Sequence, residues 1–333
     1  MNREDLVNNF KLTLRDMSLE QFARLFINEV TAVEDFYKLC HGINAGKTIS
    51  LLFNPHRLNI ITEHTVTRIS NPMSIYESLS DEGNDVHIQK IDGLARLYLY
   101  NLENGVTNPF YATIQRGYNG VTYVNEFPPY VARQIIQKYA DTTKPVSVLD
   151  PCGGWGGRMI GCASIPNTTY TYFEPATETF KGLTNLSEWL KTLQPSFKYC
   201  GACEPYEDAP KVITENLQCD IALTSPPYYD TEKYCNEETN SFNRYKTFET
   251  WVEGFYKPLI LNTMKYLKDD APFILNVGDR KYPLSEALFR ICEENGLYCE
   301  RITDYLSGHG DNGEKFYRIT KNKVKQAKQR RLF

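Results

Sequence analysis

The sequence predicts an α/β fold with a doubly wound, mostly parallel sheet, preceded by an N-terminal, mainly helical accessory domain. From residue 127 onward, short apolar runs alternate with longer amphipathic stretches, a pattern typical of strands joined by crossover helices. A stretch rich in Gly, Asn, Pro and Tyr, 104–126, separates this part from the N-terminal part. We therefore expect a helical accessory domain over 1–120, an α/β domain over 121–320 and a basic tail over 321–333.

The accessory domain is predicted from helical spacing. Ser18 followed by Gln21 fits a capping box, which marks the start of a helix. Further helices are predicted over 73–79 and 91–102. The apolar residues that recur at helical spacing after the capping box are Phe22, Leu25, Phe26, Val30 and Val33.

The α/β domain is predicted from apolar runs that end in polar or charged residues. In a doubly wound sheet, ligands bind beyond the carboxyl ends of the strands, and the distinctive motifs of this sequence all fall at such ends. The predicted helices cover 131–139, 177–192, 248–267 and 284–295. The predicted strands cover 146–149, 170–173, 197–200, 221–223 and 273–277, and two more, over 297–302 and 316–319, can close the sheet.

Composition and charge limit the partners. No apolar run approaches the length of a membrane span, and the acidic start MNREDLVNNF lacks the apolar region of a secretory signal, so we expect a cytoplasmic protein without membrane contact. The net charge of −4 weighs slightly against a nucleic-acid partner. The basic tail can either neutralise phosphates or remain solvated. Its basic residues are Lys321, Lys323, Lys325, Lys328, Arg330 and Arg331.

The nine cysteines predict reduced thiols and no metal site. Their number is odd and they are scattered over a chain without a secretory signal. Cys200 and Cys203 form a C-x-x-C pair, but a structural zinc site usually needs two more ligands at matching spacing. The sequence contains no second pair and no histidine pair of that kind.

A glycine-rich loop is the candidate cofactor motif. The segment VLDPCGGWGGR, 148–158, follows the first strand, and its glycines let the backbone turn tightly and approach a ligand closely. Its spacing departs from the G-x-G-x-x-G of dinucleotide sites, because residue 159 is methionine. The second strand ends at Glu174, twenty-four residues after Asp150, where a carboxylate can accept both ribose hydroxyls of a nucleoside.

The segment TSPPYY, 224–229, is the candidate catalytic motif. It follows the fourth strand, and its two prolines fix the backbone. The Ser225 hydroxyl and the Pro226 carbonyl can accept hydrogen bonds from an NH₂ group, and Tyr228 offers a face on which a flipped-out base can stack. Such a site needs no covalent nucleophile, since methylation of an amino group requires only that the nitrogen lone pair be aimed at the methyl donor.

Taken together, these motifs resemble the amino-methyltransferase class of DNA methyltransferases. DPCGGWGG is similar to the cofactor loop of that family, and SPPY is similar to its catalytic tetrapeptide, in the form found in its N4-cytosine subgroup. FILNVGD, 273–279, resembles the fifth-strand motif, and NEFPPYVARQII, 125–136, resembles the segment that touches the methionine part of the cofactor. The resemblance covers about residues 120–320. It implies a Rossmann-like class I methyltransferase sheet.

The resemblance also implies S-adenosylmethionine as cofactor and a role for each matching residue. Ser225, Pro226, Pro227 and Tyr228 would form the catalytic base site. Two departures from the family's loop are Cys152, which replaces a phenylalanine, and the additional Trp155 and Arg158. The implied cofactor-binding residues are Phe127, Asp150, Cys152, Gly154, Trp155, Glu174, Cys203, Glu204 and Thr224.

The implied substrate is double-stranded DNA with the target base flipped out, and cytosine N4 is favoured over adenine N6. No sizeable segment follows the sheet, so residues 1–120 are the candidate DNA-recognition region. Deleting them is expected to abolish DNA binding and to leave cofactor binding intact. The polar segment 230–245 is either a loop that closes over the base or a connector. The expected DNA contacts are Tyr229, Lys233, Arg244, Lys325, Lys328 and Arg330.

Several alternatives remain open from the sequence. An enzyme that methylates RNA guanine N2 or protein glutamine would resemble this one, although such enzymes carry N/D-PPY. An inactive binding module and a dinucleotide oxidoreductase are further alternatives, and both fit the intact SPPY motif less well. The sequence does not distinguish a monomer from a homodimer.

Overall fold

A computed structural model describes most of the α/β part and several segments of the N-terminal part. The described residues are 2–16, 20–21, 24, 27–56, 95–110, 113, 126–213, 217–231, 234–279, 281–302 and 314–323. Within these segments, no helix combines the length and the apolar character that a membrane span requires. The predicted helix over 73–79 and the capping residue Ser18 lie outside the described residues.

Seven strands form one sheet, in the order β3-β2-β1-β4-β5-β7-β6. All neighbouring pairs from β3 to β5 are parallel, whereas β7 runs antiparallel to both β5 and β6. This arrangement confirms the predicted fold class, a Rossmann-like sheet of the class I methyltransferase type. The strands are β1 (Val146–Asp150), β2 (Thr168–Phe173), β3 (Lys198–Ala202), β4 (Ile221–Thr224), β5 (Phe273–Gly278), β6 (Tyr298–Ile302) and β7 (Glu314–Thr320).

Helices cover both faces of the sheet. In the central strand β1, Val148 belongs to the hydrophobic cluster on one face and Leu149 to the cluster on the other, as alternation along a strand requires. The longer helices are α1 (Arg3–Asp16), α2 (Glu29–Cys40), α3 (Pro129–Tyr139), α4 (Gly157–Ala163) and α5 (Thr177–Leu193). They are followed by α6 (Ala209–Val212), α7 (Ser241–Arg244), α8 (Phe248–Trp251), α9 (Lys257–Lys265) and α10 (Leu284–Glu294).

The sheet reverses its strand order at β1, and this fixes the position of the ligand cleft. The chain runs from β1 outward through β2 to β3, then returns to place β4 on the other side of β1. Crossover connections that leave in opposite directions open a crevice at the carboxyl ends of the two strands. Both candidate motifs border this crevice, because the glycine loop follows β1 and the SPPY segment follows β4.

The N-terminal helix α2 buries a different face from the one that the sequence pattern predicts. Its capping box pairs Asn28 with Thr31, and the face that it buries consists of Ala32, Phe36 and Leu39. The predicted apolar face was wrong at Val30, which is 69% exposed. Three residues of that predicted face, Phe22, Leu25 and Phe26, lie outside the described residues.

The N-terminal segments pack directly on the α/β part. The ring of Phe36 in α2 lies 6.1 Å from that of Trp189 in α5, and the Arg133 guanidinium of α3 donates to the carbonyl oxygen of Cys40 at 3.0 Å. Phe36, Leu39 and Ile49 belong to the same hydrophobic cluster as Val148 of β1. Deleting residues 1–120 would therefore expose part of this core, and intact cofactor binding is not expected from that truncation.

The long helix predicted over 248–267 contains a π-helical turn. Residues Val252–Tyr256 connect α8 to α9 in this geometry, which widens the helix by one residue. Gly254 lies within the turn, and a Cβ atom there would stand 2.1 Å from Cε1 of Tyr245. The turn thus accommodates the Tyr245 ring at the end of the segment that follows the SPPY motif.

Candidate active site

Asp150, the last residue of β1, holds the glycine loop in place through hydrogen bonds. Its side chain is fully buried, and one carboxylate oxygen accepts hydrogen bonds from the Thr224 hydroxyl at 2.7 Å and the Cys152 backbone N–H at 3.2 Å. The other oxygen accepts from Arg158 Nε at 2.7 Å and from the Tyr170 hydroxyl. Four protein donors thus surround this carboxylate, and they tie the ends of β1, β2 and β4 together.

Arg158, in the first turn of α4, points back into the loop that precedes it. Its guanidinium donates to Asp150 and to the carbonyl oxygen of Cys152, and it lies 5.3 Å from the centre of the Phe127 ring. Only 6% of the side chain is exposed. The buried ion pair therefore holds the Cys152 carbonyl and the Phe127 segment in place, and it presents no charge to the solvent.

The glycine loop is shaped by close contacts on both sides. Gly156 adopts φ of +100°, and a Cβ atom there would lie 2.3 Å from Leu186. A Cβ atom on Gly157 would lie 2.0 Å from the Phe127 carbonyl oxygen, which is a backbone atom without rotational freedom. Gly154, with φ of +57°, has no such neighbour nearer than 3.8 Å. Gly154 therefore leaves the open side of the loop unobstructed.

Glu174 stands where β2 ends, opposite Gly154. One carboxylate oxygen accepts from the Gly154 backbone N–H at 2.9 Å, and the other accepts from that of Ala176 at 3.0 Å. Burial raises the pKa of Glu174 to about 7, although both backbone hydrogen bonds act to lower it. Each oxygen keeps a lone pair for a further donor, which is what a ribose diol would supply.

The remaining predicted cofactor residues border the same crevice. Cys152 is half-buried, and burial raises the pKa of its thiol well above the usual range, so it is a neutral thiol. Trp155 is buried and packs edge-on against Tyr234 at 5.8 Å. Cys203 is half-buried and Glu204 is exposed, and both follow β3, whose last carbonyl accepts the Glu174 N–H at 3.1 Å.

The SPPY segment brings Ser225 next to a residue that the sequence analysis did not single out. Thr224 in β4 pairs with Leu275 in β5, so the following residues, Ser225 and Asn276, are neighbours. The Ser225 hydroxyl donates to Asn276 Oδ1 at 3.2 Å and lies 3.5 Å from the Tyr228 hydroxyl. The predicted site residues Pro226 and Pro227 lie between Ser225 and Tyr228, and they are buried and half-buried, respectively. The Tyr228 ring is only 8% exposed.

Tyr229 has a different environment from Tyr228. It has φ of +58°, and its ring is 5% exposed within an aromatic cluster. Four neighbouring rings have centroids within 6.1 Å: Phe242, Phe248, Trp251 and Tyr282. A contact between this ring and DNA would require it to leave the cluster.

Of the other predicted DNA contacts, only Arg244 lies within the described residues. Its guanidinium pairs with Glu207 at 2.7 Å and Asp208 at 2.9 Å, so two carboxylates already neutralise its charge. Lys233, Lys325, Lys328 and Arg330 lie outside the described residues.

Residues 234–240, which we call the strap, link the start of α5 to the glycine loop. Glu237 accepts from the backbone N–H and the hydroxyl of Thr177 at 3.0 and 2.8 Å, and Thr239 donates to the Pro175 carbonyl at 3.0 Å. At its other end, Tyr234 contacts Trp155 of the glycine loop. The segment that follows the SPPY motif is therefore attached to both elements that flank Gly154 and Glu174.

The N-terminal segment contacts both the glycine loop and the segment that precedes α3, and the sequence analysis did not predict these contacts. Asn54 Nδ2 donates to the Trp155 carbonyl at 3.1 Å, and the Ser50 hydroxyl donates to Glu126. Both Asn54 and Ser50 are fully buried. Each bond joins residues more than seventy positions apart, so no local pattern indicates it.

Comparison with known proteins finds partial matches among solved structures. No protein-family model matches the sequence, and no curated protein matches it. Similar solved structures include TrmN from Thermus thermophilus, with a TM-score of 0.41, 14% identity, and coverage of 59% of this chain and 49% of that one. An rRNA methylase from Streptococcus thermophilus has a TM-score of 0.37 and 10% identity, with 58% of this chain and 95% of that one covered. A TehB-like SAM-dependent methyltransferase from Corynebacterium glutamicum has a TM-score of 0.36 and 14% identity, with 64% and 96% covered.

Proposed function

We propose that this protein is an S-adenosylmethionine-dependent methyltransferase that methylates an exocyclic amino group of a base in double-stranded DNA, with cytosine N4 favoured over adenine N6. The observation that carries the proposal is the placement of the SPPY segment. It lies at the end of β4, next to the strand whose end bears the glycine loop. In this position, the Ser225 hydroxyl and the Pro226 carbonyl would offer two acceptors for an NH₂ group beside a bound nucleoside cofactor.

The residues at the crevice fit the proposed cofactor. Glu174 offers lone pairs to a ribose diol, and Gly154 leaves the loop open beside it. Cys203 and Glu204 follow the next strand, on the side where the adenine would lie. Phe127, Cys152 and Trp155 line the opposite side, toward the methionine part. The hydrogen bond between Thr224 and Asp150 holds β4 and the glycine loop together. When bound, S-adenosylmethionine supplies an activated methyl group.

The protein's own contribution to the reaction is orientation. The Ser225 hydroxyl oxygen and the Pro226 carbonyl would accept the two amino hydrogens of the base, and this aims the nitrogen lone pair at the methyl group. Tyr228 forms the floor against which the base packs. The crevice needs no covalent nucleophile, and the neutral thiol of Cys152 is not suited to be one.

The serine at position 225 supports cytosine N4 as the target, since the SPPY form resembles the N4-cytosine subgroup. The DNA contacts remain proposals. Residues 1–120 are the candidate recognition region, and Lys233, Lys325, Lys328 and Arg330 are candidate phosphate contacts. Arg244 fits less well, because Glu207 and Asp208 already hold it.

Cofactor binding tests the proposal that the protein uses S-adenosylmethionine. Isothermal titration of the full chain should detect S-adenosylmethionine and S-adenosylhomocysteine and should not detect NAD. Tritiated S-adenosylmethionine should then label DNA made by polymerase chain reaction, which carries no methylated bases. Binding of NAD without binding of S-adenosylmethionine would contradict the proposal.

Cofactor affinity is expected to depend on pH through Glu174. The ribose hydroxyls donate to the ionised carboxylate, so binding weakens as Glu174 is protonated below its pKa of about 7. Affinity for S-adenosylhomocysteine should fall about tenfold from pH 8 to pH 6. Titration calorimetry at several pH values measures this. Glu174→Gln should abolish the dependence, whereas Glu178→Gln, at an exposed position in the same region, should preserve it. Equal pH dependence in all three proteins would contradict the assignment.

In the absence of cofactor, ionisation of Glu174 lowers the stability of the folded protein, whereas it raises the affinity for cofactor. Its pKa in the folded protein lies above the ordinary value of 4.5. Its contribution to stability is therefore complete below about pH 4.5 and is lost as the pH rises to about 7, at a cost of about 3 kcal/mol. The ribose hydroxyls would offset this cost, so we expect cofactor to stabilise the protein more at pH 8 than at pH 6.

The strap is expected to slow cofactor release. Helix α5 has no side-chain cap of its own, and Glu237 supplies one from the strap. Glu237→Ala should increase the dissociation rate of S-adenosylhomocysteine about fivefold, because losing a helix cap costs about 1 kcal/mol and the strap must hold the bound state less firmly by that amount. Stopped-flow displacement measures the rate. The adjacent, exposed Glu238 provides a matched control, and Glu238→Ala should leave the rate unchanged. Equal rates for both variants would show that the strap does not gate the site.

A further inference from the structure

The side chain of Asn276 is the only polar one in the apolar strand β5, and it is buried next to the candidate base site. The strand reads FILNVG, and 2% of Asn276 is exposed. A buried amide must find partners for its hydrogens and its oxygen. Its two partners here are the Ser225 hydroxyl and the carbonyl oxygen of Lys315 in β7.

The Lys315 carbonyl fixes the orientation of this amide. A backbone carbonyl can only accept, so the side-chain nitrogen of Asn276 must face it, and the two atoms lie 3.3 Å apart. Oδ1 must then face Ser225, which it contacts at 3.2 Å. The antiparallel strand β7 thus determines which end of the amide meets the catalytic serine.

This orientation assigns the single hydroxyl proton of Ser225. A serine hydroxyl has one hydrogen and two acceptor lone pairs, and its hydrogen normally rotates to suit the partner that is present. Because Asn276 Oδ1 can only accept, the Ser225 hydrogen is committed to it. The Ser225 oxygen then faces the crevice as an acceptor, and the Tyr228 hydroxyl at 3.5 Å can donate to it as well.

We propose that Asn276 is a positioning residue that makes Ser225 an acceptor only, so that the site selects a base carrying an amino group over one carrying a carbonyl at the same position. Cytosine and adenine present an NH₂ group that donates to Ser225. Thymine and uracil present an oxygen, which would need a donor that Ser225 cannot supply without breaking its bond to Asn276. The inference rests on the proposed function and names the group that sets its substrate class.

Asn276 should affect kcat only by its hydrogen bond to Ser225. Asn276→Leu, of similar size, frees the Ser225 proton, and it should lower kcat for methylation of DNA made by polymerase chain reaction about tenfold. The KM for S-adenosylmethionine should change less than twofold, because the cofactor residues are untouched.

A double-mutant cycle distinguishes this role from a general structural one. In a Ser225→Ala background, Asn276→Leu should lower kcat by less than a further twofold. Asn262 offers a matched control, since its amide donates to the Glu207 carbonyl at 3.4 Å and does not contact Ser225. Asn262→Leu should leave kcat unchanged in both backgrounds.

The outcomes separate this inference from the proposed function. A tenfold loss from Asn276→Leu in both the wild-type and the Ser225→Ala backgrounds would overturn the inference and leave the proposed function standing. A KM for S-adenosylmethionine that rises more than twofold in Asn276→Leu, with the variant folded by circular dichroism, would also overturn it. A wild-type protein that transfers no labelled methyl group to any base would overturn the proposed function, and the inference with it.

Discussion

Replacing Asp150 with alanine is expected to lower the free energy of unfolding by about 3–5 kcal/mol and to abolish cofactor binding. The substitution removes the acceptor of four hydrogen bonds and leaves the buried Arg158 guanidinium without its counter-charge. Breaking a buried ion pair in this way costs more than the pair contributes, because the remaining charge stays desolvated. The glycine loop would lose its attachment to β2 and β4 together.

Urea denaturation, followed by circular dichroism, measures this loss. Asp150→Asn retains the volume and removes the charge, so it should be destabilised less than Asp150→Ala but still measurably. The control is Asp269→Ala, which removes a carboxylate that is 88% exposed and pairs with Lys321, and it should leave the midpoint unchanged. If Asp150→Ala unfolded at the wild-type midpoint, Asp150 would not be the organising residue of the site.

Replacing Gly157 with alanine is expected to weaken cofactor binding more than a hundredfold. The added Cβ atom would stand 2.0 Å from the Phe127 carbonyl oxygen, and 3.0 Å from the Glu126 side chain. A backbone oxygen cannot rotate away, so the segment that carries Phe127 must move. That movement would separate the Phe127 ring from Arg158 and release the loop that Arg158 holds.

Titration calorimetry with S-adenosylhomocysteine measures the loss of affinity. Gly296→Ala is an informative control because no atom lies within 4 Å of its added Cβ, although Gly296, unlike Gly157, has a positive φ, of +67°. It carries the backbone strain of a left-handed residue without a steric clash near the crevice. Its affinity should match that of the wild type. Wild-type affinity in Gly157→Ala would mean that the Phe127 segment is not part of the cofactor site.

The strands of the α/β part could be predicted from sequence because their signal is local. Each apolar run is bounded by polar or turn residues, and the predicted bounds of β1 and β4 each fall within one residue of the observed ones. The order of the strands in the sheet was harder to predict from the sequence. The insertion of β7 between β5 and β6 depends on the pairing of β7 with β5, which joins residues about forty positions apart, and a single sequence gives no local signal for it.

The sequence predicted which residue types form the candidate site, but not the hydrogen bonds and ion pairs that hold them. The sequence indicated Glu174 and Ser225 because each follows a strand at the expected edge. It did not indicate that Arg158 turns back onto Asp150, nor that Asn276 holds Ser225, because both depend on side-chain directions that follow from packing. Likewise, Arg244 looked available for phosphates, since the sequence does not reveal its pairing with Glu207 and Asp208.

The central claim is that the protein methylates an exocyclic amino group of a DNA base. Mass spectrometry of nucleosides from DNA incubated with the full chain and labelled S-adenosylmethionine tests it most directly. We predict labelled N4-methylcytosine, at a markedly lower but still measurable level in a reaction with Ser225→Ala. Labelled N6-methyladenine would retain the proposed class of enzyme and correct the base. If S-adenosylmethionine binds and no nucleoside carries the label across several DNAs, the claim that DNA is the substrate is contradicted.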